Sequence, residues 1–320
     1  MRFKQKIVKL SLIDSKDDSL RITTQINVDQ LMDSIDCVGM LNLPLLVEKK
    51  IGYKIVCGFR RIEACRHLNW ADVEVRVLES GTKQLECVRY AILDNSLQRP
   101  LNLIEQSRSI HLLSPFFKEV SVLGKELSIL GLPDHPSIVK KIKSLCHLSE
   151  SIQNGILLDT ISLPVALELG RLHQDAGEGF AKLFGTLKLS LNKQKEILIL
   201  IKEISYREDI PILQVIKNDR VQKILTNEDL DRNQKIRKIR IYLKQRRFPA
   251  ITATENKFQN HLKKLKLGNG TKLIPPDNFE GTTYILKLFF KNLTELKDRQ
   301  SSIDALIKNP SLRKILDRPD

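Results

Sequence analysis

The chain has 320 residues, with 53 Lys and Arg against 38 Asp and Glu, and so a formal net charge of +15. At 42% apolar and 28% charged it has the make-up of a globular protein with two or three domains and a real core, which excludes a disordered tail. No apolar run nears the ~20 residues of a membrane span. The amino terminus is broken by charges every few residues and shows no signal-peptide apolar segment. The five cysteines, Cys37, Cys57, Cys65, Cys87 and Cys146, include no C-x-x-C pair, which fits reduced thiols in a cytoplasmic protein. The excess positive charge points to a polyanionic partner, nucleic acid or nucleotide first.

Residues 1–100 read as alternating strands and helices. Asn27, with Gln30 three residues on, has the pattern of a helix cap; Leu31, Ile35 and Val38 recur at helical spacing, and Gly39 offers a stop. Tyr53, Ile55 and Cys57 alternate with Lys54 and Val56, as Val73, Val75 and Val77 do with Glu74 and Arg76, the period of half-buried strands. A short helix is expected over about 61–68. Another, over about 83–93, sets Leu85, Val88 and Ile92 on one face. From Leu101 the strand signal stops, and Gly and Pro punctuate short helices through a region at 101–185. Longer helices fill 186–247 and end in the basic run RNQKIRKIRIYLKQRR at 232–247. Residues 248–320, with TTYILKLFF at 282–290, read as a strand pair with one or two helices. The expected fold class is α+β: an α/β amino-terminal domain, a helical middle and a small α+β carboxy-terminal module.

The segment GYKIVCGFRRIEACRHLNW, 52–70, runs from a strand into Gly58, then two arginines, then a helix. Glycine admits a close backbone approach, the helix start offers free N–H groups, and Arg60 and Arg61 add planar donors for phosphate oxygens. Taken alone, the same residues also suit a tight turn whose arginines pair with neighbouring carboxylates. No P-loop motif is present. In ILDNSLQRPLNLIEQSR, 92–108, Asp94 and Asn95 stand together at a helix end. There they could cap the following turn or ligate Mg²⁺ beside substrate phosphates.

Together these segments resemble the ParB family, partition proteins that load onto DNA with CTP as a clamp switch. GFRRIEA at 58–64 is similar to the family box GERRxRA, with Gly58, Arg60, Arg61 and Ala64 matching; Phe59 and Glu63 depart from it. DNSLQRPLNLIE at 94–105 aligns without a gap to the second box, ENLQREDLNPIE. Asn95, Leu101, Asn102, Ile104 and Glu105 are kept, and Asp94 replaces Glu. Residues 20–47 resemble the family's entry segment, with Arg21 at the family arginine. The resemblance covers about residues 5–175. It implies a ParB/sulfiredoxin-like fold binding CTP, with Gly58, Arg60, Arg61 and Arg21 toward the phosphates and Asp94 and Asn95 holding Mg²⁺. Activity would be at most a weak CTPase. Phe59 replaces a carboxylate with an apolar ring beside the phosphates. It also stands where the related sulfiredoxins carry their cysteine, which removes repair chemistry, and Cys57 reads as a core residue. A nuclease reading would rest on Asp94 and Glu63 alone.

Residues 120–148, VSVLGKELSILGLPDHPSIVKKIKSLCHL, read as a helix-turn-helix. Leu123, Leu127 and Leu130 make an apolar stripe, Gly131 ends the first helix, and Pro136 starts the second. Ser137, Lys140, Lys141, Lys143 and Ser144 are placed to meet bases or phosphates of double-stranded DNA, while Ile138, Ile142 and Leu145 are expected inside. The alternative is two short bundle helices with a solvated lysine face. The 232–247 run reads as a solvated helix face or as a contact to phosphate backbone. What the resemblance implies for partners is DNA, a ParA-like partition ATPase and a homodimer, with no membrane, in a nucleoid-associated cytoplasmic protein. A regulator that kept the fold without the nucleotide switch is the alternative from another class. TTYILKLFF could pair strands across a dimer, or be a private core strand.

Overall fold

Period-two apolarity builds the first sheet. In the computed structural model, which describes residues 3–317, β1 (Phe3–Lys9), β2 (Leu45–Glu48), β3 (Tyr53–Cys57) and β4 (Asp72–Leu78) lie in the order β1-β4-β2-β3. β4 is antiparallel to β1 and parallel to β2, and β2 and β3 form an antiparallel pair. Two helices intervene, α1 (Asp29–Val38) and α2 (Phe59–His67), and α3 (Gln84–Ser96) follows β4. On β4 the alternation holds, with Val73, Val75 and Val77 buried and Asp72, Glu74 and Arg76 exposed. On β3 it fails. Val56 is as buried as Ile55 and Cys57, because α3 packs on the strand and both of its faces are covered.

The start of α1 lies one residue later than the sequence suggests. Val28 is the capping residue, and the Asn27 side-chain oxygen accepts from the Asp29 N–H. Gly39, at φ 73°, closes the helix as expected. Ile35 is buried against Val28 and Ala64, whereas Val38 is exposed.

α4 (Leu103–Leu113) is the scaffold of the helical region. It begins with a capping box in which Asn102 accepts from the N–H groups of Ile104 and Glu105, while the Glu105 carboxylate accepts from the Asn102 N–H. α5 (Val120–Ile129) and α6 (Pro136–Lys143) follow, joined by residues 130–135, with Gly131 at φ 71°. Leu123, Leu127 and Leu130 are buried, as the stripe predicts. α6 lies against α4, with Val139 and Ile142 facing inward. Ile138 does not pack inside. It is 45% exposed, because Val139 and Ile142, three apart, define the buried face and Ile138 falls beside it. Leu145, in the 3-10 turn Leu145–His147, is fully buried. α7 (Glu150–Leu157), α8 (Leu163–Leu169) and α9 (Gln174–Leu187) complete the region around Phe180 and Phe184.

The chain divides into two units, up to Lys195 and from Glu196 on, with the division inside α10 (Leu191–Glu208). In the second unit α11 (Ile212–Ile216) and α12 (Asp219–Thr226) precede α13 (Arg232–Arg247), the helix of the basic run. Four of its cations are spent on glutamates of α10. Arg240 and Lys244 reach Glu196 at 2.7 and 3.1 Å, Arg246 reaches Glu208 at 2.5 Å, and Arg247 reaches Glu203 at 2.7 Å. Arg237 and Lys238 are exposed. The unit ends with α14 (Pro249–Leu265), β5 (Thr271–Ile274), β6 (Ile285–Leu288), α15 (Leu293–Ile307) and α16 (Pro310–Leu316). β5 and β6 pair antiparallel, so the strand in TTYILKLFF has its partner within the chain. Tyr284 and Leu286 pack against a core of Phe258, Leu265, Leu273, Leu306 and Ile315. Among the described residues no helix is long and apolar enough to cross a membrane.

Candidate functional site

The turn from β3 into α2 is set by Gly58. It sits at φ 90°, and a Cβ there would stand 2.9 Å from Pro44 Cβ, so the position needs both the left-handed backbone and the missing side chain. No side chain caps α2 at Gly58, which leaves the positive end of the helix to whatever approaches it. Here a cavity of about 250 Å³ opens, and Gly58, Phe59, Arg60 and Arg61 line one side of it. Asp94 and Asn95, at the end of α3, line another. The two segments singled out in the sequence, more than thirty residues apart, therefore meet. Arg21 is not among the lining residues; its guanidinium carbon lies 6.0 Å from the centroid of the Phe59 ring.

The charges here are partly satisfied. Arg60 donates to Gln25 Oε1 at 2.7 Å and to the Asn27 carbonyl at 2.8 Å, but its Nε is buried without a partner. Arg61 Nη2 lies 3.9 Å from Asp94 Oδ2. Asn95 gives its amide N–H to the Ala91 carbonyl at 2.8 Å, which leaves its oxygen available. Asp94 and Asn95 thus offer a carboxylate and an amide oxygen, a hard donor pair that fits Mg²⁺ supplemented by phosphate and water. The orphaned Arg60 Nε suits an anionic acceptor. Asp94 and Asn95 would hold such an ion, which would supply positive charge against phosphate oxygens. Behind the site, Cys57 is 6% exposed; burial and the Asp94 charge push its thiol up to about 12, so it carries no thiolate chemistry.

Further lining residues were not singled out from the sequence: Gln25, Asn42, Gln98 and Arg99. Arg99 lies inside the second box and could have been read from it. Its guanidinium pairs with the fully buried Glu105 at 2.6 and 2.7 Å. Glu105 also accepts from the Thr24 N–H, and Arg108 donates to the carbonyls of Ile22 and Thr23. Burial would raise the Glu105 carboxyl, but Arg99 and the Thr24 and Asn102 amides hold it below its ordinary value. Glu105 is thus the clamp by which α4 holds the 22–24 loop at the cavity's rim.

On α6, Ser137, Lys140 and Lys141 are exposed, with Lys143 and Ser144 exposed at its end. At 100° per residue Ser137, Lys140, Lys141 and Ser144 share the face opposite Val139 and Ile142, with Lys143 at its edge. Both hydroxyls have neighbours: Ser137 Oγ lies 2.9 Å from His135 Nδ1, and Ser144 Oγ donates to the Lys141 carbonyl at 3.3 Å. Arg89 on α3 makes a bidentate pair with Glu126 on α5 at 2.6 and 2.9 Å.

A four-stranded α/β domain with an arginine-lined cavity at a strand-to-helix turn, followed by a helical region, defines the class. Residues 4–96 match the family model of the ParB N-terminal domain. A nucleoid occlusion protein of Halalkalibacterium halodurans is 28% identical over 152 residues, 47% of this chain and 51% of that one. The chain spans about half the length of the curated relatives it matches. Among solved structures, the C-terminally truncated partitioning protein ParB of Caulobacter crescentus complexed with CTP-γ-S covers 57% of this chain and 98% of its own, at 20% identity and a TM-score of 0.27. The same protein complexed to the centromeric parS site covers 59% and 96%, at 16% identity and a TM-score of 0.34.

Proposed function

We propose that this chain is a ParB-like, CTP-dependent DNA-binding protein acting in bacterial DNA organisation of the nucleoid-occlusion or partition kind. One observation carries the reading: Gly58, Arg60 and Arg61 share a single cavity with Asp94 and Asn95. That combination of helix start, guanidinium groups and hard oxygen donors suits a nucleotide triphosphate with Mg²⁺. The proposed roles are phosphate contacts from Gly58, Arg60 and Arg61, a further contact from Arg21 at the rim, and metal ligation by Asp94 and Asn95. Double-stranded DNA would meet the face of Ser137, Lys140, Lys141 and Ser144, with Lys143 beside it. A clamp of this kind acts as a homodimer, and a ParA-like ATPase would be its motor partner.

Calorimetric titration with CTP, ATP and GTP in Mg²⁺ tests the nucleotide arm. CTP is expected to bind selectively. Arg60→Ala should abolish binding, and Asp94→Ala should weaken it, with the fold and basal DNA binding retained. Unchanged CTP affinity in Arg60→Ala would refute the phosphate cradle. A second reading, a DNA-binding regulator without a nucleotide switch, is favoured by the Phe59 ring in the cavity wall and by the pairing of Arg60 with Gln25 and Asn27. Silence of the folded protein with all three nucleotides, with and without genomic DNA fragments, would select it.

A further inference from the structure

The histidines look scattered in the sequence, but the fold brings two of them together with a cysteine. His111 is in the last turn of α4, and Cys146 and His147 lie in the 3-10 turn that follows α6. The Cys146 thiol sulfur and a ring nitrogen from each histidine all lie within 4.8 Å of one another. His147 Nε2 and His111 Nδ1 are 3.2 Å apart, within hydrogen-bond distance, and their rings meet edge-on with centroids 4.5 Å apart. His111 and Cys146 are half-buried and His147 is exposed, so the group is reachable from solvent.

The turn that presents these side chains is held by further contacts beside the one from the Cys146 thiol to the Lys143 carbonyl at 3.5 Å. Ser107 on α4 accepts from the Cys146 N–H at 2.8 Å and donates to the Lys143 carbonyl at 3.2 Å. Gln153 donates to the carbonyls of Cys146 and Leu148 at 3.2 and 2.8 Å. We propose that His111, Cys146 and His147 form a zinc site that fastens the turn after α6 to α4.

A thiolate with two imidazoles is a borderline-soft donor set, suited to zinc and poor for Mg²⁺ or Ca²⁺. Zinc bonds of about 2.0–2.3 Å in a tetrahedron place ligand atoms roughly 3.3–3.8 Å apart. The two nitrogens already stand at that spacing, and the widest pair need close by only about 1 Å. On binding, each imidazole turns a lone pair to the ion and keeps its single proton on its other ring nitrogen, and Cys146 releases its thiol proton to solvent, with water filling the fourth position. Lys143 opposes a cation here, and the Cys146 thiolate offsets it. The site shares no residue with the cavity at Gly58, and it stands whether or not α6 meets DNA.

Cobalt serves as the spectroscopic probe for the zinc position. Titration of the reduced, metal-free full chain should yield one tetrahedral Co²⁺ per chain, with a thiolate-to-cobalt charge-transfer band that zinc bleaches. Cys146→Ser should lose the charge-transfer band, and His111→Gln and His147→Gln should each weaken zinc at least tenfold. Cys37→Ser, which removes the other accessible thiol, should change nothing. Zinc should raise the melting temperature of the wild type and leave that of the Cys146→Ser protein in place, with circular dichroism showing each variant folded. A wild type without a tetrahedral spectrum, a charge-transfer band that survives Cys146→Ser, or one that vanishes with Cys37→Ser would each overturn the assignment.

Discussion

At Gly58 the left-handed backbone and the Pro44 ring act together: an added methyl group would meet Pro44 Cβ at 2.9 Å and Cα at 3.0 Å. Gly58→Ala is therefore expected to cost about 2 kcal/mol, from the positive φ and the displaced proline. A lower urea midpoint with an unchanged slope would report it. Glu105 is the other position where one side chain supports the site. Its carboxyl is held below the ordinary 4.5, so the folded state gives up this proton more readily than the unfolded one. The resulting stabilisation is fully present above about pH 4.5 and is lost as pH falls through the lower folded value. Glu105→Gln should destabilise by about 3 kcal/mol, the low end for a buried pair, since Arg99 keeps part of its surface. The variant should also show a shallower loss of stability in acid. Equal acid slopes in the two proteins would assign the effect to other carboxylates, such as Asp17, which pairs with Lys49 and Lys54 at 2.9 and 3.2 Å.

Among the elements, α6 and α13 present similar runs of basic residues to a reader of the sequence and differ in the fold. The cations of α6 are exposed, whereas four on α13 are committed to α10. Lys140→Ala with Lys141→Ala should weaken DNA binding and reduce its slope against log salt by about 2, one phosphate contact for each lysine. A filter-binding series from low to moderate salt reads this, and an unaltered slope would move the DNA surface off α6. The contrast also marks what the sequence discloses. Strand β4, the stop at Gly39 and the stripe of α5 were legible because each is a local pattern. The Gly58 and Asp94 segments were legible as chemistry and as resemblance, but their meeting on one cavity depends on how α2 and α3 pack. The inward turn of Val139 in place of Ile138, the burial of Val56, the α10–α13 pairing and the approach of His111 to His147 all depend on which element lies alongside. No window of sequence contains that information.

Within the first unit, α4 touches both proposed binding surfaces. Glu105 and Arg108 hold the 22–24 loop at the cavity, and the opposite contact carries α6. If nucleotide and DNA communicate through this helix, each must change the other's affinity by the same factor. Arg108→Ala should shrink that factor toward one while leaving either affinity alone close to wild type. DNA titrations with and without CTP, and the reverse, measure both sides of the cycle. The sheet carries a different kind of consequence. β1 is a border strand, paired only with β4 among the strands of the sheet, and a border strand is a template on which a foreign strand can add. Its exposed residues include Ile7, but also Lys4, Lys6 and Lys9. Two incoming copies would have to bring these ammonium groups side by side in water, so the repulsion between them guards against self-stacking. The lysines of FKQKIVK keep the open margin of the sheet soluble, a task separate from any ligand the chain holds.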